Sequence, residues 1–465
     1  MTLFILAVMP LIARLEQRLP GTTIHGGQFT LSNYVDDTQA LLRSVDDVPI
    51  LMGTLEHFGA ASGLGINVEK SKALSLGSWD TSALPLPFPF VPTTRILGVV
   101  FSSRVSQLPS LNWPSIASKA TSVILSNSCR HLCIEQRVRF VNTFAMSKLW
   151  YVAKVVPPLL KPIQHLRAFI GNFVWKGWLF RVPFPVLCSA IGAGGFGLHD
   201  PVVRCKAVFS SRWVTVGQEC PYTFSAASLH SFQAACDPPP PLAPRRAPIS
   251  GSHYTLFRQV QAHVPPQEGV VGRALIHHTY SVLLPLLLPR RVRVEEALPN
   301  TDWALVWRTV QSRSLLLKAR SAWFAAVHDI YATNVRLHSI GRSNTDRCAV
   351  CGRWDTILHR LTTCGAAANI WQWLRSVLTD VLHVPPNLIA QDYLVRPDVT
   401  FPGAKRHNTI VWLTGHVVMA ILASDSVPTT VELVDHVLRP LRAQVFTHSD
   451  KYIKKKYGHF LASLF

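Results

Sequence analysis

Two groups of residues have types and spacings that could do chemistry. The first is an adjacent acidic pair, Asp36-Asp37, preceded by Tyr34-Val35, with Phe29 and Leu31 before it and Ala40, Leu41 and Leu42 after it. Two neighbouring carboxylates repel each other unless positive charge lies against them. A divalent cation such as Mg2+, which prefers hard oxygen ligands and substrate phosphates, is one solution. An Asp-Asp turn with both side chains in water is the other reading, since Asp is a common turn residue. The second group is a Cys-x2-Cys knuckle, Cys348 and Cys351 followed by Gly352, then His359 after seven residues and Cys364 after four more. A Cys3His set closes a tetrahedral zinc site with no open position, so its expected role is structural. Reduced cysteines scattered around a helical histidine are the competing reading. Cys129, Cys133, Cys188, Cys205, Cys220 and Cys236 have no such spacing and read as core thiols.

The elements that must position these groups follow from periodicity. The apolar flanks of the acidic pair predict a β-hairpin whose tight turn carries Asp36 and Asp37. Before it, Leu3, Leu6, Ala7, Leu11 and Leu15 predict a helix from Thr2 to Leu19, stopped by Pro20-Gly21. After it, Ile50, Leu51, Leu55 and Phe58 predict a second helix from Val48 to Ala61, with Asp46 and Asp47 at its favourable N-terminal end. Gly63-Leu64-Gly65 ends that helix, and Ile66 to Leu76 is expected to enter a strand. Ser78 to Pro92 is a proline-rich loop, and a helical region is expected from about Trp113 to Tyr151. Gly192-Ala193-Gly194-Gly195-Phe196-Gly197 lacks the spacing of a phosphate-binding loop, so its glycines read as turn geometry. Four successive prolines, Pro238 to Pro241, mark a linker. Beyond it, Trp303, Trp307, Leu315, Trp323 and Phe324 read as core helices.

Charge adds a partner. Net charge is +20 with a pI near 9.9, which favours a polyanion. Between Thr81 and His199 there are twelve Lys or Arg residues against one acid, Glu135, a patch that suits a nucleic-acid backbone. Lys119, Arg137 and Arg139 belong to it, with Arg130, Lys148 and Lys154. Lys451 to Tyr457 is a further basic cluster with interleaved aromatics; it suits nucleic acid or a solvated tail equally. At 48% hydrophobic and 15% charged residues, the chain is expected to fold around a sizeable core. It has no apolar run long enough to span a bilayer and no basic start to its apolar N-terminus, and its nine cysteines form no secreted framework. The expected setting is intracellular, nuclear or cytoplasmic.

Three segments in order carry a resemblance. Tyr34-Val35-Asp36-Asp37 between apolar strands resembles the catalytic hairpin of reverse transcriptases. Ser62-Gly63-Leu64-Gly65-Ile66-Asn67-Val68-Glu69-Lys70-Ser71 and Arg95-Ile96-Leu97-Gly98-Val99 are similar to segments that follow it in non-LTR, LINE-type retrotransposons. Trp175-Lys176-Gly177, the glycine-rich stretch and the Cys348–Trp371 segment resemble regions found after the polymerase in the same family. The resemblance implies an α+β N-terminal partial polymerase palm over residues 1–110. A mostly α-helical basic thumb and connector over 111–236, the linker 237–250 and a helical C-terminal region 251–465 would follow, with a zinc-binding segment at 347–371. It implies RNA-templated DNA synthesis in the intact ancestor: a primer hydroxyl attacks a dNTP with the help of two Mg2+. Asp36 and Asp37 would be the Mg2+ ligands, Lys70 would meet the leaving pyrophosphate, and Tyr34 and Gly98 would lie against the primer or template. The family's fingers and first catalytic aspartate would fall before Met1, so the expectation is a fragment inactive alone. A non-catalytic remnant that binds nucleic acid and zinc is the alternative. RNA template and DNA primer are the expected partners, and no membrane is.

Overall fold

In the computed structural model, the first helix is α1 (Thr2–Arg18), and its apolar stripe is what the next elements settle on. The structure describes residues 2–24, 27–35, 37–76, 86–176, 178–219, 260, 262–264, 270–287, 292–297, 299–312, 315–376, 415, 417–419 and 421–422. Two short hairpins follow α1. Strand β1 (Thr22–Ile24) pairs with β2 (Gly27–Phe29), and β3 (Leu31–Tyr34) pairs with β4 (Asp37–Ala40), both antiparallel. Helix α2 (Asp47–Ser62) then returns over α1. Leu15, Leu19 and Leu51 are buried at the centre, with Leu11, Leu31, Ala40, Leu42 and Leu55 packed around them, so the β3–β4 hairpin is held by apolar contacts from its base.

Helix α2 starts where the acidic residues suggest, by a different device. Asp46 occupies the N-cap position without a side-chain cap. The buried Asp47 carboxylate instead accepts the amides of Arg43 at 2.8 Å and Ser44 at 3.0 Å. Gly63, at φ +71°, ends the helix in the left-handed region that an L side chain avoids. The strand expected from Ile66 to Leu76 does not form. Asn67 closes a turn through Lys70 and Ser71, and a single bridge, Ala73 to Phe90, is the only pairing in the segment. Asn67 offers its side-chain oxygen to the Lys70 amide, a local bond that competes with a ladder.

A third hairpin, β5 (Thr93–Ile96) with β6 (Val99–Ser102), leads into helix α3 (Leu108–Leu125). Asn112 fastens the two. Its amide donates to the Val100 carbonyl at 2.8 Å and its oxygen accepts the Val100 amide at 2.9 Å, so one side chain imitates a neighbouring strand. The three sheets are separate and two-stranded among the described residues.

The helical region expected from Trp113 to Tyr151 is broken into α3, α4 (Ile134–Phe140), a π-helical turn (Val141–Ala145) and α5 (Ser147–Ala153). Next come α6 (Leu160–Val174), α7 (Phe184–Cys188), α8 (Pro201–Glu219) and α9 (Gly272–Leu287). Helices α10 (Arg293–Ala297), α11 (Trp303–Val310), α12 (Leu317–Val327), α13 (Asn334–Ser339) and α14 (Gly365–Ser376) complete the described elements.

These elements fall into two compact units interleaved along the chain. One comprises Met1–Ser122, Ser147–Arg167 and Pro201–Leu287. Its core includes Trp113, fully buried with its indole donating to the Pro157 carbonyl at 2.6 Å, and the α8–α9 pair, joined by Ser211 and Thr279. The other comprises Val123–Met146, Ala168–Asp200 and Leu288–Phe465. The glycine-rich stretch lies in it and is structural. Gly194, at φ +72°, lies against the Trp307 ring, and a Cβ on Gly195 would fall 2.1 Å from the Ser189 carbonyl oxygen. The linker 237–250 and the Lys451–Tyr457 cluster lie outside the described residues.

Candidate functional site

The Cys348–Cys364 segment builds one site from a knuckle and a widened helical turn. In the knuckle, the Cys348 amide donates to the Arg353 carbonyl at 2.7 Å and the Gly352 amide to the Cys348 carbonyl at 2.9 Å. Gly352 takes φ +70° to close this loop, a backbone state that favours glycine. Arg347 and Trp354 form an antiparallel bridge across its base. Just beyond, Asp355 is fully buried. It accepts both Nε and Nη2 of Arg360, at 2.6 and 2.7 Å, and the backbone amide of Asn334 at 2.6 Å. That fork-to-fork pair ties the knuckle to α13 and raises Arg360 above its ordinary pKa through the Asp355 hydrogen bond.

His359 opens a π-helical turn, His359–Thr363, in which the Cys364 amide donates to the His359 carbonyl at 2.9 Å. In an α-helix, five residues at roughly 100° each would put Cys364 on a different face from His359. The wider turn returns Cys364 toward His359 instead. The four donor atoms of Cys348, Cys351, His359 and Cys364 all lie within 4.8 Å of one another. Cys351 Sγ is 3.1 Å from His359 Nε2, and Cys348 Sγ is 3.8 Å from Cys364 Sγ. A tetrahedral zinc with ordinary bond lengths needs donors roughly 3.5–3.8 Å apart, so the set fits with small adjustments. His359 Nδ1 is 3.0 Å from Thr363 Oγ1, which orients the ring and leaves Nε2 for the metal.

Electrostatics favour the ligating forms. Burial lowers the His359 pKa; the Asp355 charge works against this and Arg353 and Arg360 add to it, which favours the neutral ring. Burial pushes the Cys348 thiol up. Amide hydrogen bonds from Val350 and Cys351, with those from the Cys364 and Cys351 side chains, outweigh it and leave the thiol below its ordinary value. Cys348, His359 and Cys364 are buried and Cys351 is exposed. Bound here, zinc would close the fold of the segment; four protein donors leave it no vacant position for substrate.

The hairpin residues are placed differently. Strands β3 and β4 are joined by two residues, Val35 and Asp36, so Asp37 is the first residue of β4 and is paired across from Tyr34, not in the turn. Val35 takes φ +59°, a conformation a β-branched residue avoids. Tyr34 and Asp37 are both exposed, Tyr34 to 60%, and Asp36 lies outside the described residues. Among the described residues the Cys3His set is the group with three or more potential metal ligands; Asp37 is not joined by two others. Of the pair expected to hold Mg2+, the described residues therefore supply one exposed carboxylate, Asp37. Lys70 is exposed in the Asn67 turn. Gly98 occupies the tip of the β5–β6 hairpin with Leu97, at φ +87° and +47°.

Of the basic residues, Lys119 is exposed on α3. Arg137 is half-buried and donates to the Leu132 and Val174 carbonyls at 2.8 and 2.7 Å; burial lowers its pKa, and its guanidinium holds the backbone together. Arg139 is largely exposed and pairs with the buried Glu135 at 2.5 Å, while Arg320 pairs with the other Glu135 oxygen at 2.6 Å. The sequence reading missed the Asp355–Arg360 pair and Thr363. An Asp five residues before an Arg and a hydroxyl four residues after His359 were the available signals.

No protein-family model matches the chain. It is similar to the "Transposon TX1 uncharacterized 149 kDa protein" of Xenopus laevis, 25% identical over 183 residues, which is 38% of this chain. The chain covers 14% of that relative's length. This likeness supports descent from a transposon. No described helix is long and apolar enough to cross a membrane.

Proposed function

We propose that the chain is a portion of a LINE-type retrotransposon reverse transcriptase that holds nucleic acid and one structural zinc, and that it does not carry out nucleotidyl transfer alone. The observation that carries this reading is the β3–β4 hairpin. Its two-residue turn, with Val35 at φ +59°, sets Tyr34 and Asp37 side by side and exposed, on a base packed between α1 and α2. Strain of this kind, of order 1–3 kcal/mol, survives where the surroundings impose it and clusters at functional sites. The transposon likeness and the basic composition support the same reading.

The catalytic step of such a polymerase needs carboxylates on both sides of its metal ions. In this chain the buried Asp47 carboxylate is already engaged by two amides, and Glu16 is exposed on α1. What this chain contributes is positioning: an aromatic and a carboxylate at a hairpin tip, and exposed basic residues for phosphates. Primer extension on an RNA template tests it. No Mg2+-dependent extension is expected from this polypeptide, with template–primer binding retained. Extension that disappears in Asp36→Asn and Asp37→Asn would overturn the proposal.

A further inference from the structure

We propose that Trp354 and Arg347, on the zinc knuckle, form a stacking platform for the unpaired bases of a single-stranded nucleic acid. Trp354 is 57% exposed. A side chain so open to water adds little to a core. Its position is nevertheless defined. The backbone bridge to Arg347 fixes its strand position, and the Arg347 guanidinium lies 4.6 Å from its ring centroid. The cation thus lies over the ring while more than half of the residue stays open to water. A base laid on that open surface would extend the stack, and the cation strengthens such contacts.

Charge selects the class of partner. Between Asn334 and Ser376 there are six arginines and two aspartates, with no lysine or glutamate. Both aspartates are engaged, Asp355 by Arg360 and Asp346 by Arg347 at 3.3 Å. Arg353, beside Trp354 in the chain, is exposed, as are Arg342 and Arg375. The surface thus offers phosphates several cations and no competing free acid. An aromatic face beside them calls for a polyanion with exposed flat rings. A single strand meets that requirement, whereas a duplex keeps its bases stacked inside. The proposal rests on the nucleic-acid-binding part of the reading above and names its ligand, and no residue of the β3–β4 hairpin enters it.

The test uses the full chain, zinc-loaded and without Mg2+, in the Asp37→Asn background, so that failure of the hairpin reading leaves it intact. Fluorescence anisotropy with a labelled oligothymidylate and with a duplex of equal length gives the affinities, and elemental analysis gives the zinc content. Trp354→Ala is expected to weaken single-strand binding about 5- to 100-fold with zinc retained, and duplex binding far less. Trp354→Phe should recover most of the loss, and Arg353→Ala should lower the salt dependence by about one phosphate contact. Single-strand binding unchanged in Trp354→Ala would overturn the proposal. So would equal losses for single strand and duplex, or competition by polyglutamate that depends on Trp354 as strongly as the oligonucleotide does. If Trp354→Ala loses zinc, Trp354→Phe decides: binding near the parent supports the platform, and binding lost with zinc retained refutes it.

Discussion

At Leu97-Gly98 the chain places two residues with positive φ in a two-residue turn, and only one of them is glycine. That combination suits a type I′ turn, for which Asn-Gly is the preferred pair. Leu97→Asn should stabilise the protein by about 0.5–1 kcal/mol, because Asn tolerates the left-handed region and Leu97 is already 38% exposed. A rise in the urea midpoint without a change in slope would check it. The four candidate metal donors behave in the opposite sense. Cys348→Ser removes a buried donor and should abolish the one equivalent of zinc expected by elemental analysis. Metal-free, fully folded parent protein would contradict the site. These ligands were legible in the sequence because cysteine and histidine have few other reasons to recur at such intervals. The roles of the basic residues were not. Sequence counts a charge but cannot show that Arg137 faces two carbonyls while Arg139 faces water.

Between elements, the Glu135 network shows how unequal two ion pairs on one carboxylate can be. Arg320 is 11% exposed and joins α12 to α4, whereas the Arg139 side chain is 69% exposed. Arg320→Ala should cost about 2–4 kcal/mol by leaving a buried charge half-paired, and Arg139→Ala at most about 1 kcal/mol. Comparable losses by chemical denaturation would refute that ranking. Gly195→Ala should cost about 3 kcal/mol or more, since the new methyl meets backbone oxygens that cannot move aside. Helices α1 and α2 were readable from their periodicity to within two residues, and the hairpin from its flanks. The π-helical turns at 141–145 and 359–363 were not, because a pattern of apolar residues cannot distinguish one extra residue per turn. Nor was the absence of a strand after Ile66: the apolar run is present, but Asn67 captures the backbone first.

Across the whole molecule, a net charge of +20 predicts that binding to any nucleic acid weakens steeply with salt. A titration across salt concentration should give a log–log slope equivalent to several phosphate contacts, and a flat response would exclude a backbone interface. The interleaving of the two compact units bears on assembly. The polypeptide passes from one to the other after residues 122, 146, 167, 200 and 287, so neither is finished until most of the chain has been made. A ribosome that has released the first two hundred residues has delivered both bodies in part and neither in full. Half-built cores in that interval would need shelter from one another and from chaperone-free solution, so expression cut near the proline run should yield aggregates, not an independent domain.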